Sequence, residues 1–196
     1  YVEVGGFANT KLGQPDYPDV QFHFTPIYRS HRGRKFEFGH GYSLFTCLLR
    51  PHSRGSVKIK KDGDMHKVLI DHNFLSDTRD EATIVEAIKK AREVLSSEEF
   101  DEVRGEEMAP GKSIQSDEDL LAYIRKTAVT VYHPVGTCKM GTDDLSVVSP
   151  DNLKVKGLSN LRVIDASIMP SIVSGNTSAP TMMIAERGAR MILEKE

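Results

Sequence analysis

The sequence has few cysteines, no long apolar run and no excess of either charge. Two cysteines in 196 residues, Cys47 and Cys138, are too few for a disulfide framework, so a reducing, cytoplasmic compartment is predicted. No apolar stretch approaches the roughly 20 residues of a membrane-spanning helix. The net charge of −2, with no stretch basic enough to suggest nucleic acid, argues against nucleic acid as a partner. The seven histidines include no pair at metal-ligand spacing, so no metal site is predicted.

Short runs in the first half of the chain either alternate between apolar and polar residues, as at 20–24 and 57–60, or are rich in β-forming residues and apolar on both faces, as at 42–49; both patterns are typical of β-strands. Four strands are predicted, at residues 20–24, 42–49, 57–60 and 68–70. The dipeptide Asp62-Gly63 between the last two favours a tight hairpin turn. Residues 1–18 contain several glycines and prolines and are expected to be irregular. The basic segment 29–40 is expected to be a functional loop at the entrance of a site.

The pattern then changes from a strand period to a helical period. A capping box, Thr78-x-x-Glu81, begins the first predicted helix. Its apolar stripe consists of Ile84, Ile88, Ala91 and Leu95. Ser116 resembles the cap of a second helix, and the acidic segment 101–115 between the two helices is expected to be an exposed loop.

The last third of the chain predicts one more strand and one more helix. Residues 161–164 form an apolar run typical of a buried strand. Pro180 suits the first position of a final helix that ends near Glu194. The order of elements predicts an α+β fold, in which helices pack on a largely antiparallel sheet. The 161–164 strand and the final helix look like the closing unit of a second, α/β layer.

His133 is the first candidate for acid–base chemistry. We expect it at the junction of a strand and a loop, where Pro134 favours an extended backbone and Gly136 permits a tight turn. A histidine can take the proton of an alcohol as hydride leaves the carbon. The other interpretation is a structural histidine bonded to a loop carbonyl.

Further candidates lie between residues 165 and 180. The Asn176 amide can bond a substrate oxygen, although asparagine also forms turns and caps. The helix start near Ala179 carries partial positive charge, which suits a reduced flavin, or it is an ordinary helix start. Asp165 can accept from backbone N–H groups or a cofactor hydroxyl, or form a turn. Cys138 is interpreted as a small buried hydrophobe rather than a nucleophile.

Three long segments resemble the C-terminal half of the glucose–methanol–choline (GMC) flavin oxidoreductases, in particular the choline and aliphatic alcohol dehydrogenase branch. They are residues 49–57, 132–141 and 161–187. The resemblance covers nearly the whole chain. It implies FAD as cofactor and a small primary alcohol, choline-like or aliphatic, as substrate. The implied reaction is proton abstraction with hydride transfer to flavin N5, which gives an aldehyde.

The resemblance also implies a role for individual residues in these segments. His133 matches the catalytic base, and Asn176 matches the second catalytic position. Tyr132 is expected to line the substrate site. The implied cofactor-binding residues are Asp165 and Ala166 beside the diphosphate and ribityl chain, and Asn176, Thr177 and Ser178 beside the flavin ring.

One feature of the family is missing from this sequence. The dinucleotide fingerprint Gly-x-Gly-x-x-Gly is absent, which implies that the N-terminal FAD half is not part of this chain. We therefore expect residues 1–150 to be the substrate-binding domain and residues 151–196 the closing strand and helix of the FAD-binding domain. Such a fragment is expected to bind FAD weakly or not at all, and to be inactive without the missing half as its partner.

Alternative functions stay open at this point. A family oxidase, a cyanohydrin lyase or a non-catalytic binding domain would share the same segments. The electron acceptor is open, and membrane association through that acceptor is an alternative to a purely cytoplasmic location. Choline recognition favours an aromatic cage, but the sequence has no tryptophan. The aromatic candidates, more often core residues, are Phe22, Phe24, Tyr42 and Phe45.

Overall fold

The structure is a computed structural model that describes residues 2–28 and 40–194. The chain divides into two compact units. The first unit comprises Tyr1–Ser53 and Phe74–Val131, and the second comprises Arg54–Asn73 and Tyr132–Glu196. The predicted loop at 29–40 lies outside the described residues except for His40. The assignment of residues 1–150 and 151–196 to functional domains stays a prediction.

A three-stranded antiparallel sheet forms one layer of the first unit. Its strands are β1 (Val4–Ala8), β2 (Val20–Thr25) and β3 (Ser43–Leu48), with β2 in the centre. In the register, Val20 lies opposite Leu48 and Ala8. β2 and β3 confirm the strands predicted at 20–24 and 42–49. β1 was expected to be irregular because its two glycines suggested a turn, but ladder bonds to β2 hold it extended.

Two helices pack with this sheet: α1 (Thr78–Leu95) contacts β2 and β3, and α2 (Asp117–Thr127) contacts α1. The core of the unit is formed by Val20, Phe22, Ile84, Val85, Ala87, Ala91, Leu120 and Ile124. Ser116 caps α2 as predicted, since its side chain accepts from the Asp119 N–H. The predicted capping box of α1 is wrong: Asp77 is the N-cap and accepts from the Arg79 N–H, while Glu81 pairs with Arg125.

The segment 101–115 is a loop as predicted, but an arginine on α1 anchors it. Arg92 donates to both carboxylate oxygens of Glu107, at 2.8–3.1 Å. The same guanidinium donates to the Ile114 carbonyl at 2.8 Å. Because Arg is a planar fork with five donors, one side chain satisfies the loop at several points. The loop is therefore held to the helix rather than solvated along its length.

A β-hairpin and one helix are the regular elements of the second unit within its described residues. The hairpin pairs β4 (Ser56–Asp62) with β5 (Met65–Asp71), and Gly63 at φ +62° makes the predicted turn. The helix is α3 (Ser178–Leu193). The buried cluster of this unit comes mostly from loops: Val148, Leu153, Ile168, Met169 and Ile184.

Two expectations for the second unit are wrong. Residues 161–164 form no strand: Leu161 is half-exposed, and only Arg162 makes an isolated bridge, to Lys154. The run pairs only briefly with residues 153–155, through the Val155 N–H to the Leu161 carbonyl and the Val163 N–H to the Leu153 carbonyl, which is too short for a strand of a sheet. The final helix begins at Ser178, so Pro180 is its third residue; it is still in the first turn, where a missing N–H leaves no helical bond unmade.

Antiparallel sheets with three packed helices confirm the predicted α+β fold class. Within residues 2–28 and 40–194, no helix has the length and apolar character needed to cross a membrane.

Candidate active site

His133 lies in a loop rather than at the end of a strand, and its side chain is partly buried. The backbone on either side is unusual. Tyr132 has φ +65° and Gly136 has φ +89°. A Cβ at position 136 would lie 3.3 Å from the Met169 carbonyl oxygen, so glycine serves both the turn and the close approach. The predicted tight turn after the histidine is confirmed, whereas the predicted strand before it is wrong.

Both ring nitrogens of His133 have partners from the start of α3. Nε2 lies 2.8 Å from Asn176 Nδ2, and Nδ1 lies 2.9 Å from Thr177 Oγ1. These partners are 43 and 44 residues away in sequence. The structure therefore brings the two predicted catalytic residues, His133 and Asn176, into direct contact. The structural interpretation of the histidine expected a bond to a loop carbonyl. Neither of these two bonds is of that kind.

Backbone hydrogen bonds tie the histidine segment to the segment that precedes α3. The Cys138 N–H donates to the Ser167 carbonyl at 3.0 Å, and the Met140 N–H donates to the Ile168 carbonyl at 2.8 Å. Cys138 packs against the buried cluster, as predicted for a small hydrophobe. These main-chain bonds do not depend on side-chain identity, so they hold the two segments side by side as a frame for the site.

The start of α3 fits the negative side of a reduced flavin. Thr177 is its N-cap, yet the Thr177 side chain caps none of the described helix residues. Asn176, Ser178 and Ala179 are exposed around this terminus. First-turn N–H groups have no acceptor within a helix, and the helix dipole places partial positive charge there. The residues predicted beside a flavin ring, Asn176, Thr177 and Ser178, thus lie together at an anion-friendly terminus.

Asp165 adopts the turn role that the sequence left open. Its Oδ1 accepts from the Ser167 N–H at 2.7 Å and begins a short 3-10 helix, Ala166–Ile168. The side chain of Asp165 thereby orders the segment whose carbonyls bond the histidine segment. A contact of Asp165 or Ala166 with a cofactor stays a prediction.

Strained backbone lies on both sides of the site. Tyr132 precedes His133, and Ser174, two residues before Asn176, also has a left-handed backbone, with φ +63°. Left-handed non-glycine residues are each disfavoured by about 1–3 kcal/mol and concentrate at functional sites. Tyr132 is 82% exposed beside His133, and its place at a substrate site stays a prediction.

Two further features belong to the first unit. The rings of Phe24, Tyr42 and Phe100 pack on each other with centroids 5.3–6.1 Å apart, which leaves no space for a cation between them. Burial raises the pKa of the Cys47 thiol, which disfavours a thiolate there.

Residues 52 and 53, in the segment 49–57, are anchored to α1 by hydrogen bonds to Asp80. Sequence reasoning did not foresee this role. The Asp80 carboxylate is 3% exposed and accepts from the His52 and Ser53 N–H groups, both at 2.7 Å, and from the Ser53 hydroxyl at 2.5 Å. Ser53 Oγ in turn accepts from the Ser76 N–H at 3.1 Å. In the second unit, a Cβ on Gly55 would overlap the Asp71 carbonyl oxygen. The signal in the sequence that could have revealed this anchor is Asp80 itself, an acidic residue in the first turn of an amphipathic helix.

Comparison with known families identifies the chain. Residues 51–185 match the model of the GMC oxidoreductase family, in its C-terminal part. This match covers more than half of the 196 residues, so the chain belongs to the GMC oxidoreductases. The predicted family is confirmed.

Individual relatives agree with the family match. An alcohol dehydrogenase [acceptor] of Pseudomonas putida is 47% identical over 193 residues, which are 98% of this chain and 35% of that protein. An oxygen-dependent choline dehydrogenase of Staphylococcus aureus is 41% identical over 98% of this chain and 34% of that protein. The crystal structure of pyridoxine 4-oxidase from Mesorbium loti superposes with a TM-score of 0.81 at 33% identity, over 94% of this chain and 35% of that chain. The chain spans about a third of the length of these relatives.

Proposed function

We propose that this chain is the C-terminal part of an FAD-dependent oxidoreductase that oxidises a primary alcohol to an aldehyde. The observation that carries the proposal is the His133 imidazole bonded to Asn176 at the start of α3. A general base needs an accessible nitrogen within hydrogen-bond reach of the substrate proton. Asn176, the partner of Nε2, is exposed, which supports access of a substrate to this side of the His133 ring.

His133 and Asn176 divide the work on the alcohol oxygen. Nε2 of His133 takes the hydroxyl proton, while the Asn176 amide donates to the same oxygen and holds it in position. The 2.8 Å contact between the two side chains places both groups within reach of one oxygen atom. The exposed Tyr132 ring covers one side of the substrate.

The residues at the start of α3 would hold the flavin. When bound, FAD supplies the acceptor for the hydride that leaves the alcohol carbon. Asn176, Thr177 and Ser178 are the proposed neighbours of its ring, and Asp165 and Ala166 those of its ribityl and diphosphate. The uncapped terminus of α3 supports this placement, because its N–H groups favour negative charge.

The substrate class rests on the relatives and on the aromatic residues. The relatives named for alcohol and for choline share 47% and 41% identity with this chain. The packed rings of Phe24, Tyr42 and Phe100 offer no cage for a quaternary ammonium group. We propose a small primary alcohol, with aliphatic alcohols tested alongside choline. We further propose that the other two thirds of the enzyme holds most of the FAD, so that this chain alone is inactive.

The test uses the full-length parent enzyme, purified as wild type, as His133→Ala and as His66→Ala. His66 lies on the exposed hairpin and controls for the loss of a histidine. A panel of alcohols is assayed with an artificial electron acceptor while flavin absorbance is recorded. We expect His133→Ala to keep its flavin and to lose 10²–10⁴-fold in rate, the usual contribution of a general base. His66→Ala should match the wild type.

Other outcomes would redirect the proposal. Rapid oxygen consumption without an acceptor would define an oxidase. Cyanohydrin cleavage with no alcohol oxidation would define a lyase. Colourless, inert wild-type enzyme would contradict the proposal in favour of a binding domain.

A further inference from the structure

Thr177 occupies the N-cap of α3 but does not behave as a cap. Threonine at this position normally accepts from an N–H in the first turn of its helix. The Thr177 side chain makes no such bond with the described residues of α3. Its hydroxyl instead lies 2.9 Å from His133 Nδ1. The Thr177 side chain thus forgoes the capping bond, which elsewhere stabilises a helix by about 1 kcal/mol.

The contact is enclosed, which gives it weight. Thr177 is 7% exposed, and its backbone N–H also points at Nδ1, at the longer distance of 3.5 Å. An N–H···N contact at 3.5 Å is weak and would need a lone pair on Nδ1, so the hydroxyl, which can donate or accept, is the principal partner of this ring nitrogen. The Thr177 hydroxyl therefore restricts the rotation of the ring. The Asn176 amide nitrogen, which can only donate, faces Nε2 and favours a ring proton on Nδ1.

The chemistry of a base requires one of the two neutral forms of His133. Nε2 can take a proton only if it carries a lone pair, and the ring proton must then be on Nδ1. A hydroxyl oxygen accepts that Nδ1–H bond, and it continues to accept it after Nε2 has gained a proton. The pair therefore needs no rearrangement during the proton transfer.

We propose that Thr177 is a positioning residue for the base, whose hydroxyl holds His133 with its proton on Nδ1 and its lone pair on Nε2. This role differs from the flavin contact that the sequence resemblance implies for the same residue. It rests on the proposed function, because it presumes that His133 acts as the base. Thr177 acts through His133 and need not touch the substrate.

The test compares two substitutions in the full-length enzyme with flavin bound. Thr177→Val keeps the shape and removes the hydroxyl, whereas Thr177→Ser keeps the hydroxyl. We expect Thr177→Val to lower kcat by about 10–100-fold, comparable to losing one or two hydrogen bonds. Thr177→Ser should stay within about 3-fold of the wild type, a difference near 0.6 kcal/mol.

Thr181→Val is the matched control, because it removes a hydroxyl one turn further along the same helix. The Thr181 hydroxyl donates to the Thr177 carbonyl at 2.6 Å, not to the histidine. Its loss should leave kcat within about 3-fold, again near 0.6 kcal/mol. An equal loss of activity in Thr181→Val and Thr177→Val would overturn the inference, because general weakening of the helix end would then explain both.

A double substitution shows whether Thr177 acts through the histidine. In a His133→Ala background, Thr177→Val should cause no further loss of rate, because the group that it positions is gone. Full additivity would overturn the inference and would favour a direct flavin contact. Nitrogen-15 NMR of selectively labelled histidine, assigned by His133→Ala, gives a second readout: Thr177→Val should move the ring toward the tautomer protonated on Nε2.

The two proposals fail in different ways. If His133→Ala retains full activity, the proposed function fails. If His133→Ala is inactive and Thr177→Val equals the wild type, the positioning role alone fails.

Discussion

The two units differ in the interactions that hold each of them together. The first unit buries eight residues between a sheet and two helices. The second unit buries five, most of them from loops, and holds its segments together by main-chain bonds such as Met140 N–H to the Ile168 carbonyl. The proposed active site lies in this second unit. Loops can place His133 beside Asn176 in a geometry that a regular strand or helix does not provide.

The second unit also exposes apolar faces that globular proteins usually bury. One face of the hairpin carries four β-branched residues that are 50–72% exposed: Val57, Ile59, Val68 and Ile70. α3 buries Ile184 and Gly188 and exposes Met182 and Ile192. A two-stranded hairpin is at best marginally stable alone. The first unit therefore buries apolar residues between its sheet and its helices, whereas in the second unit the hairpin is exposed on both faces and α3 buries one side.

The largest predicted effect compares two isoleucines, one from each unit. Ile84 is 9% exposed and Ile59 is 72% exposed. Ile84→Ala should lower the free energy of unfolding of this chain by about 3 kcal/mol, because it leaves a cavity. Ile59→Ala should change it by less than about 0.5 kcal/mol. Urea unfolding measures both, and equal losses would contradict the distinction between the units.

The next effect concerns the carboxylate that anchors the first unit. Asp80→Ala leaves the N–H groups of His52 and Ser53 without their acceptor in a buried position. The expected loss of unfolding free energy is about 2 kcal/mol. Asp117→Ala is the control, because the Asp117 side chain is 69% exposed and its ion pair with Lys89 contributes at most about 1 kcal/mol. If Asp80→Ala loses no more unfolding free energy than Asp117→Ala, the anchoring role of Asp80 is contradicted.

A smaller effect tests the packing of the second unit. A Cβ on Gly188 would overlap the Ile164 side chain. Gly188→Ala should therefore destabilise by about 1 kcal/mol, although alanine in a helix otherwise gains a similar amount over glycine. In an Ile164→Ala background the same change should be neutral or stabilising. Destabilisation that persists in that background would show that Ile164 is not the obstacle.

The smallest effect is a pH dependence in the second unit. Hydrogen bonds from Ser146 and, to a smaller extent, from Lys139 lower the pKa of Asp143 from 3.8 to about 2. A carboxylate with a lowered pKa stabilises the folded state above the unfolded pKa, and this contribution is lost as pH falls from about 4 to about 2. Asp143→Asn should flatten the thermal stability profile over that range. An unchanged profile would show that the hydrogen bonds of Asp143 with Ser146 and Lys139 contribute nothing measurable to stability.

Local patterns predicted local structure well. Alternation predicted β2, a run of β-forming residues predicted β3, Asp62-Gly63 predicted the hairpin turn, and an apolar stripe predicted α1. These signals succeed because strand and helix periods depend on neighbouring residues alone. The failures share a cause. The run at 161–164 has the composition of a buried strand but pairs only with the short segment 153–155, and the glycines of β1 concealed a strand that its pairing with β2 stabilises.

The proposed site divides in the same way. The sequence by itself determined the family, the α+β class and the chemical candidates His133 and Asn176, because these depend on residue types in continuous segments. Only the tertiary structure decided that a histidine and an asparagine 43 residues apart touch, and that Thr177 turns its hydroxyl toward the histidine instead of its own helix. The physical reason is that backbone bonds between distant loops fix these contacts, and no periodicity in the chain encodes which carbonyl a loop N–H will meet.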